Sequence, residues 1–370
     1  MKRYCKNVDI TDVQTIYPWV AACVAGKLGR KDFTKLMYTY GDTVGIAMEI
    51  AKRINRRDLD LKPILFFERK DGLSGKVRTL GVEEPLQQCM DYVAVNALLP
   101  LFEAKIGSGQ CASIPHRGQV YGKKKLEYWV NGDFKHSKYY NKADIYHCYQ
   151  SISPKIIKKH LERDVKNDTL IWFTMELIKT HGNGLSIGSY LSQYLCNYLL
   201  SYAYHYATEQ LYKTRRGKRI RLCYHVLFYM DDVILIGNDK RNLKIAMQKL
   251  DKYIQKELGV HFKPKYNVKE VNKEPIDMMG YVIHRHYTTI RGKIFLRARR
   301  TMLHGWKVIQ SKHFLPLISA YRIISYRGFF VNSNSKSAHE LYHIEKLTEC
   351  AKQTIRFYAR KRRAMKDDKL

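Results

Sequence analysis

Leu222-Cys-Tyr-His-Val-Leu-Phe-Tyr229-Met-Asp-Asp-Val233-Ile-Leu-Ile-Gly237 decides the fold, because two runs of β-branched and aromatic residues flank a tip that carries two adjacent carboxylates. Such runs read as strands, so the stretch is a strand, a turn and a second strand. Asp231 and Asp232 stand where burial favours anything except two neighbouring negative charges, and the pair calls for a compensating cation. Mg2+ suits them, since it takes hard carboxylate oxygens from one or two residues and leaves its other positions to water and phosphates. A hairpin that carries Asp-Asp only because turns favour Asp stays open at this level. Working outward, Asp144 lies in an apolar-flanked run of the same character, Lys142-Ala-Asp-Ile-Tyr-His-Cys-Tyr149. Three carboxylates on neighbouring strands can hold two metal ions a few ångströms apart.

The charge balance narrows the partners. Of 370 residues, 66 are Lys or Arg and 34 Asp or Glu, a formal net charge of +32. A chain this long buries roughly three quarters of its unfolded surface, and 45% apolar residues argue for a folded protein of two or three lobes. The positive excess costs self-repulsion and points to a polyanion, with nucleic acid ahead of a membrane surface. No apolar run reaches a membrane-spanning length, and Met1-Lys-Arg-Tyr-Cys-Lys lacks the core of a signal peptide, so a cytoplasmic protein is expected. The eight cysteines are scattered without a C-x-x-C pair, as reduced thiols are. His284-x-His286 has no further ligand nearby in sequence and reads as structural.

Periodicity gives the order of elements. Apolar residues at spacings of three and four (Val13, Ile16, Val20, Val24; Leu36, Met37; Ile46, Met48, Ile50) predict a helical opening section broken at Gly29 and Gly41. Pro63-Ile-Leu-Phe-Phe-Glu and Val77-Arg-Thr-Leu-Gly-Val predict a basic hairpin around Lys70-Asp-Gly-Leu-Ser-Gly-Lys76. Pro85 opens one long helical stretch through Phe102, residues 107–122 are irregular, and Ser153-Pro154 caps a helix. A basic bridge over residues 213–221 precedes the opening hairpin, and an amphipathic helix (Leu243, Met247, Leu250, Ile254) follows it.

In order, Asp144 with an aromatic five residues on, Gly188-x-x-x-Ser192-Gln193, Tyr229-Met-Asp-Asp, and Lys263-Pro-Lys265 before Gly280-Tyr281 resemble the successive palm motifs of reverse transcriptases. The similarity runs from about residue 60 to 335 and is closest to bacterial enzymes related to group II introns, including those of diversity-generating retroelements and defence systems. Lys76-Val-Arg78 and Ser113-Ile-Pro-His-Arg117-Gly resemble fingers motifs, and Ser325-Tyr-Arg-Gly-Phe a thumb motif. The resemblance implies an α+β right-hand polymerase with an antiparallel palm sheet. Its parts would be a helical N-terminal section (1–60), fingers with a β-hairpin (61–140), palm (141–295, with fingers helices inserted at 154–183) and a helical basic thumb (296–370).

It also implies roles. Asp144, Ile145 beside it, Asp231 and Asp232 would bind two Mg2+ ions, or Mn2+ in their place, with the three aspartates catalytic. Tyr149 falls at the steric gate, where a ring excludes a ribose 2′-hydroxyl and the product is therefore DNA. Lys76, Arg78 and Arg117 would meet the triphosphate of a dNTP. Ile187, Gly188 and Gln193 would line the nucleotide, and Lys263 or Lys265 would approach the leaving pyrophosphate. Tyr229 and Met230, with Lys123, Lys124, Lys125, Arg297, Arg299 and Arg300, would contact nucleic acid. Basic clusters at 213–221 and at Arg360-Lys-Arg-Arg add to a groove for an RNA:DNA duplex and a surface for structured RNA.

Two positions depart from the common pattern. Ile187 stands where most relatives have Gln, as in diversity-generating retroelement enzymes, and implies relaxed fidelity. Gln150 replaces a common Pro after the gate. The expected partners are a template or noncoding RNA, cDNA and dNTPs, with an accessory protein encoded nearby and a homo-oligomer as further candidates, and no membrane. An RNA-dependent RNA polymerase and a catalytically silent RNA-binding scaffold are the alternatives.

Overall fold

The computed structural model describes residues 2–70, 75–264 and 266–367, with side chains through residue 361. The tip of the predicted basic hairpin (71–74), Lys265, and the side chains of Arg362 and Arg363 lie outside the described residues. The chain divides into two compact units, one holding residues 2–70, 77–118 and 139–268, the other 75–76, 119–138 and 269–367.

In the first unit, helices Val13–Ala25, Lys31–Tyr40 and Thr43–Asn55 form the opening section. Asp12 and Asp42 cap two of them, their carboxylates accepting from Thr15 N and Gly45 N. Ile16, Val20 and Cys23 pack against Ile46, Ile50 and Ile54 in the core. Met48 belongs to the predicted apolar series yet is exposed, because the face at 46, 47, 50, 51 and 54 fills the interior without it. The single long helix predicted from Pro85 is two, Pro85–Ala97 and Leu99–Lys105, since Pro100 starts a new first turn rather than continuing the old one.

The strands of this unit include β1 (Leu65–Lys70), β2 (Val77–Val82), β3 (Tyr139–Asp144), β4 (Tyr212–Arg215), β5 (Lys218–Arg221), β6 (His225–Tyr229) and β7 (Asp232–Gly237). β1 pairs antiparallel with β2 and β4 with β5, so the predicted basic bridge is a hairpin. In the central sheet β6 pairs with β7 and β7 with β3, both antiparallel. β7 is buried along nearly its whole length, as Val-Ile-Leu-Ile demands. Helices Tyr190–His205 and Lys240–Leu258 supply much of the surrounding core.

The second unit joins helix Gln119–Gly132 to a three-stranded antiparallel sheet with Tyr281–Ile283 central between Ile276–Met278 and Thr288–Ile290. Helices Gly292–Lys312, Leu317–Val331, Lys336–Leu341 and Ile344–Asp367 complete it. Gly280 has φ +85, and a Cβ there would stand 2.7 Å from the Phe329 ring, so the turn is reserved for glycine. No described helix is long and apolar enough to cross a membrane.

Candidate active site

The antiparallel register sets the site. In β3 against β7, Asp144 lies directly opposite Asp232, and Tyr229 opposite Asp232 is the last pair of β6 with β7. Met230 and Asp231 therefore form a two-residue turn, and Met230 takes φ +52, a left-handed conformation that bulky residues avoid. The Met230 side chain is buried, which holds the turn in that strained form and leaves Asp231 accessible at its tip. The Ile145 N–H donates to the Asp231 carbonyl at 2.8 Å, tying the end of β3 to the turn. Ile145 itself is buried.

Three carboxylates in this space cannot all carry full charge. Desolvation first, then the hydrogen bond to Asp144, push Asp232 up to about 7. Asp144, favoured by that same hydrogen bond and by Lys142 and Lys263, is lowered. Loss of water around the turn raises Asp231, opposed by its own backbone N–H and by Lys263 and Arg78. Asp232 therefore takes up a proton as the pH falls through about 7 and shares it by hydrogen bond with Asp144. Two lysines answer the remaining charge: Lys142 Nζ stands 3.3 Å from Asp232 Oδ1, and Lys263 Nζ 3.5 Å from Asp144 Oδ2. The Lys263 N–H also donates to the Asp144 carbonyl at 2.8 Å, so that lysine is fixed beside the carboxylates. Among the described residues no group of three or more His, Cys, Asp or Glu side chains stands ready around one metal ion. The donors nevertheless have the chemistry that suits a hard divalent cation, and the raised Asp231 and Asp232 mark negative charge that such a cation would relieve.

Tyr149 sits beside this cluster. Its hydroxyl is raised, first by burial and then by Cys196, Cys148 and Asp231, while Arg78 opposes the rise. Tyr149 and Asp231 both feel Arg78, which places the exposed β2 arginine within electrostatic reach of the carboxylates. Gly188 has φ +118, and a Cβ there would lie 2.5 Å from the Gly81 carbonyl oxygen. The Gly81 N–H donates to the Ile187 carbonyl at 2.8 Å, so Ile187-Gly188 is laid against β2 three residues beyond Arg78. Gln193, half-buried, lies in the first turns of the helix that follows.

The chain carries the family's sequence pattern over residues 68–283, matched as reverse transcriptase (RNA-dependent DNA polymerase). It is a member of the reverse transcriptase family. No curated protein matches the chain. The match makes this reverse transcriptase an RNA-directed DNA polymerase, a nucleotidyltransferase of right-hand fold whose family generally uses Mg2+ and takes an RNA template and dNTPs. The mixed helices and antiparallel sheets agree with that fold.

The remaining expected contact residues of the reverse transcriptase divide between exposed and internally engaged side chains. Lys123 is buried, donating to Glu127 at 2.8 Å and to the Asn332 carbonyl at 2.8 Å, which removes it from any nucleic-acid surface. Lys124 is exposed, and Lys125 lies 5.5 Å over the Tyr121 ring. Arg117 donates to the Gly107 carbonyl at 3.0 Å and braces its own loop. Lys76, Arg299 and Arg300 are exposed, Arg297 is half-buried with its guanidinium against Gly75, and all four fall in the second unit. His284 stacks on Tyr287 at 4.2 Å, as a structural histidine does.

Two features escape the sequence reading. Lys142 is two residues before Asp144 on a strand, hence on the same face, and that period was available in the sequence. The second is a buried network beneath Gly81 and Gly188. Asp91 Oδ2 accepts from Ser189 Oγ at 2.9 Å and from Leu191 N at 3.1 Å. His181 Nε2 lies 3.2 Å from Glu83 Oε1, and its Nδ1 3.2 Å from Ser192 Oγ. Burial raises Asp91 and Glu83 and lowers His181. Because Ser192 Oγ accepts from Ser186 N, its hydroxyl hydrogen is free to go to Nδ1, and His181 then donates from Nε2 to Glu83.

Proposed function

We propose that the chain makes cDNA from a dedicated structured RNA, with Asp144, Asp231 and Asp232 as its metal-binding catalytic residues. The observation that carries the reading is the register of Asp144 against Asp232, which puts three carboxylates and two lysines at one end of the sheet. Bound there, two Mg2+ ions would supply an activated 3′-hydroxyl and a steadied pyrophosphate. The chain's own part is placement. Asp144 and Asp232 give up their shared proton to become ligands, and Tyr149 bars the space of a 2′-hydroxyl. Arg78 would offer a fork to phosphate oxygens, and Lys263 or Lys265 would act as general acid toward the leaving pyrophosphate. In this reading residues 61–140 act as fingers, 141–295 as palm and 296–370 as thumb. The Ile187-Gly188-x-x-x-Ser192-Gln193 form favours a diversity-generating retroelement, with a defence enzyme as the second setting.

Extension of a DNA primer on an RNA template tests the chemistry. The native chain should add dNTPs, Asp231→Ala should add none, and Tyr149→Ala should gain ribonucleotide use. Extension by Asp231→Ala at the native rate would refute the assignment. Sequencing of nucleic acid recovered with the protein from cells carrying its locus tests the setting. Substitutions at adenines matching a nearby gene would place it in a retroelement, and repetitive or faithful copies of one noncoding RNA in a defence system.

A further inference from the structure

The hairpin of β4 and β5 is a two-stranded sheet of its own with no part in the chemistry above, and its composition is unlike that of the central sheet. Residues 213–221 hold six cations and no acid, Lys213-Thr-Arg-Arg-Gly-Lys-Arg-Ile-Arg. Arg215 and Lys218 are directly opposite across the ladder, a like-charge pair that destabilises an isolated ribbon. The turn between them, Arg216-Gly217, has φ +50 and +75, so an arginine occupies a left-handed position that Asn or Gly would take at lower cost. Arg215, Arg216 and Lys218 are exposed, and none forms an ion pair with a carboxylate among the described residues.

The ribbon is nevertheless anchored. Lys213 Nζ donates to Asn242 Oδ1 at 2.5 Å, and Lys249 Nζ to the Tyr212 carbonyl at 3.3 Å. Its foot therefore rests on helix Lys240–Leu258, where Lys240, Arg241 and Lys244 are also exposed. The foot is remote from the catalytic turn. The Tyr224 N–H donates to the Ile236 carbonyl, at the far end of β7 from Asp232, about 13 Å along the strand at ~3.3 Å per residue.

We propose that this hairpin and the adjoining start of helix Lys240–Leu258 form a docking surface for a base-paired stem of RNA. The inference rests on the reading of the chain as a polymerase that serves a structured RNA. Charge complementarity selects a polyanion. The absence of a free ring selects a duplex over a single strand: Tyr212 is the hairpin's one aromatic residue, and the Arg219 guanidinium already covers it at 4.6 Å. Single strands are held by stacking platforms, whereas duplex RNA is held through phosphates and 2′-hydroxyls.

The test uses the full chain with Arg215→Gln, Arg216→Asn and Lys218→Gln combined, since Asn accepts the left-handed turn and all three side chains are exposed. The probe is an RNA stem-loop of about 16 base pairs, beside a DNA duplex and a single-stranded RNA of equal length. Loss of three phosphate contacts should flatten the plot of log affinity against log salt by roughly 2–3 and weaken stem binding about 100-fold at 0.15 M salt. A stem affinity within threefold of native overturns the proposal, as does an equal loss on single-stranded RNA. Native stem affinity combined with lost binding of polyglutamate overturns it too, assigning the surface to an acidic protein. Asp231→Asn separates the two readings: it should stop extension and leave stem affinity intact. Failure of the native chain to extend any primer would refute the polymerase reading while the stem data still decide the surface.

Discussion

Replacing Asp232 by Asn should stabilise the protein in the absence of divalent cations. Asp232 rises from 3.8 to about 7 on folding, so its charge costs the native state free energy. At roughly 1.4 kcal/mol per tenfold, the rise caps that cost at about 4 kcal/mol. The side chain is 29% exposed and shares its proton with Asp144, and solvent screening brings the expected gain to about 1–2 kcal/mol. The sign follows from proton binding. Below pH 4 both states are protonated and nothing is lost; from 4 to 7 the unfolded chain releases a proton the folded chain keeps, so stability falls as pH rises, levelling above 7. The Asn amide still donates to Asp144 and removes the pH dependence. Thermal unfolding with a chelator should show midpoints that diverge as the pH rises above 4, with the variant higher by about 2–4 °C at pH 8. Added Mg2+ should then raise the native chain more than the variant, because only the native chain keeps all three carboxylates. A variant no more stable than native at pH 8, or equal stabilisation of both by Mg2+, would refute the reasoning.

Removing the cation beside Asp232 should act in the opposite direction. In Lys142→Met the acidic limb of the pH–rate profile should move up by about half to one pH unit, read from extension rates between pH 5.5 and 8.5. Gly188→Ala must displace the Gly81 carbonyl and should cost about 2–4 kcal/mol in urea unfolding. Gly182→Ala, at φ +85 with open space around it, should cost only ~1 kcal/mol. In the buried network Asp91→Asn keeps the acceptor for Ser189 and Leu191 and a donor toward Glu83, so its stability should stay within about 1 kcal/mol of native. Asp91→Leu strands those donors and should lose roughly 2–4 kcal/mol.

The strand, turn and strand around Tyr229 were legible because their pattern is local: apolar runs, then two acids that burial alone cannot explain. The helix cap at Ser153-Pro154 follows an equally short rule, and the Ser153 side chain accepts from Ile156 N as expected. What was not legible depends on distant partners. Nothing local tells Lys123 from Lys124, but one faces Glu127 and Asn332 and the other solvent. Arg117 likewise spends its guanidinium on its own loop. The basic bridge at 213–221 concealed a hairpin because charge outweighed the weak period of Tyr212, Thr214, Ile220 and the Arg-Gly turn. Asp91 left one trace, a carboxylate on the apolar face of its helix with Ala94 and Val95, but only the fold supplies its partners.

Two sets of carboxylates, of one residue chemistry, are thereby given opposite work by their surroundings. Glu83 and Asp91 are shut from water, kept toward the neutral form, and supplied with hydroxyl, imidazole and backbone donors at about 3 Å, so they fix the seat of Gly81 and Ile187-Gly188. Asp144 and Asp232 keep 39% and 29% of their side-chain surface open, and their lysines stand at 3.5 and 3.3 Å. Pairs at that distance and exposure are weak enough for an incoming cation to displace. The same lysines are long enough to turn toward phosphate once displaced. Rigid placement therefore rests on protons held inside, whereas the sheet-end carboxylates keep a negative charge accessible, partly neutralised by groups that can let go. A chain with the buried network intact and the tip carboxylates replaced by amides should retain its fold and lose its chemistry, which is the separation the Asp231 and Asp91 variants measure.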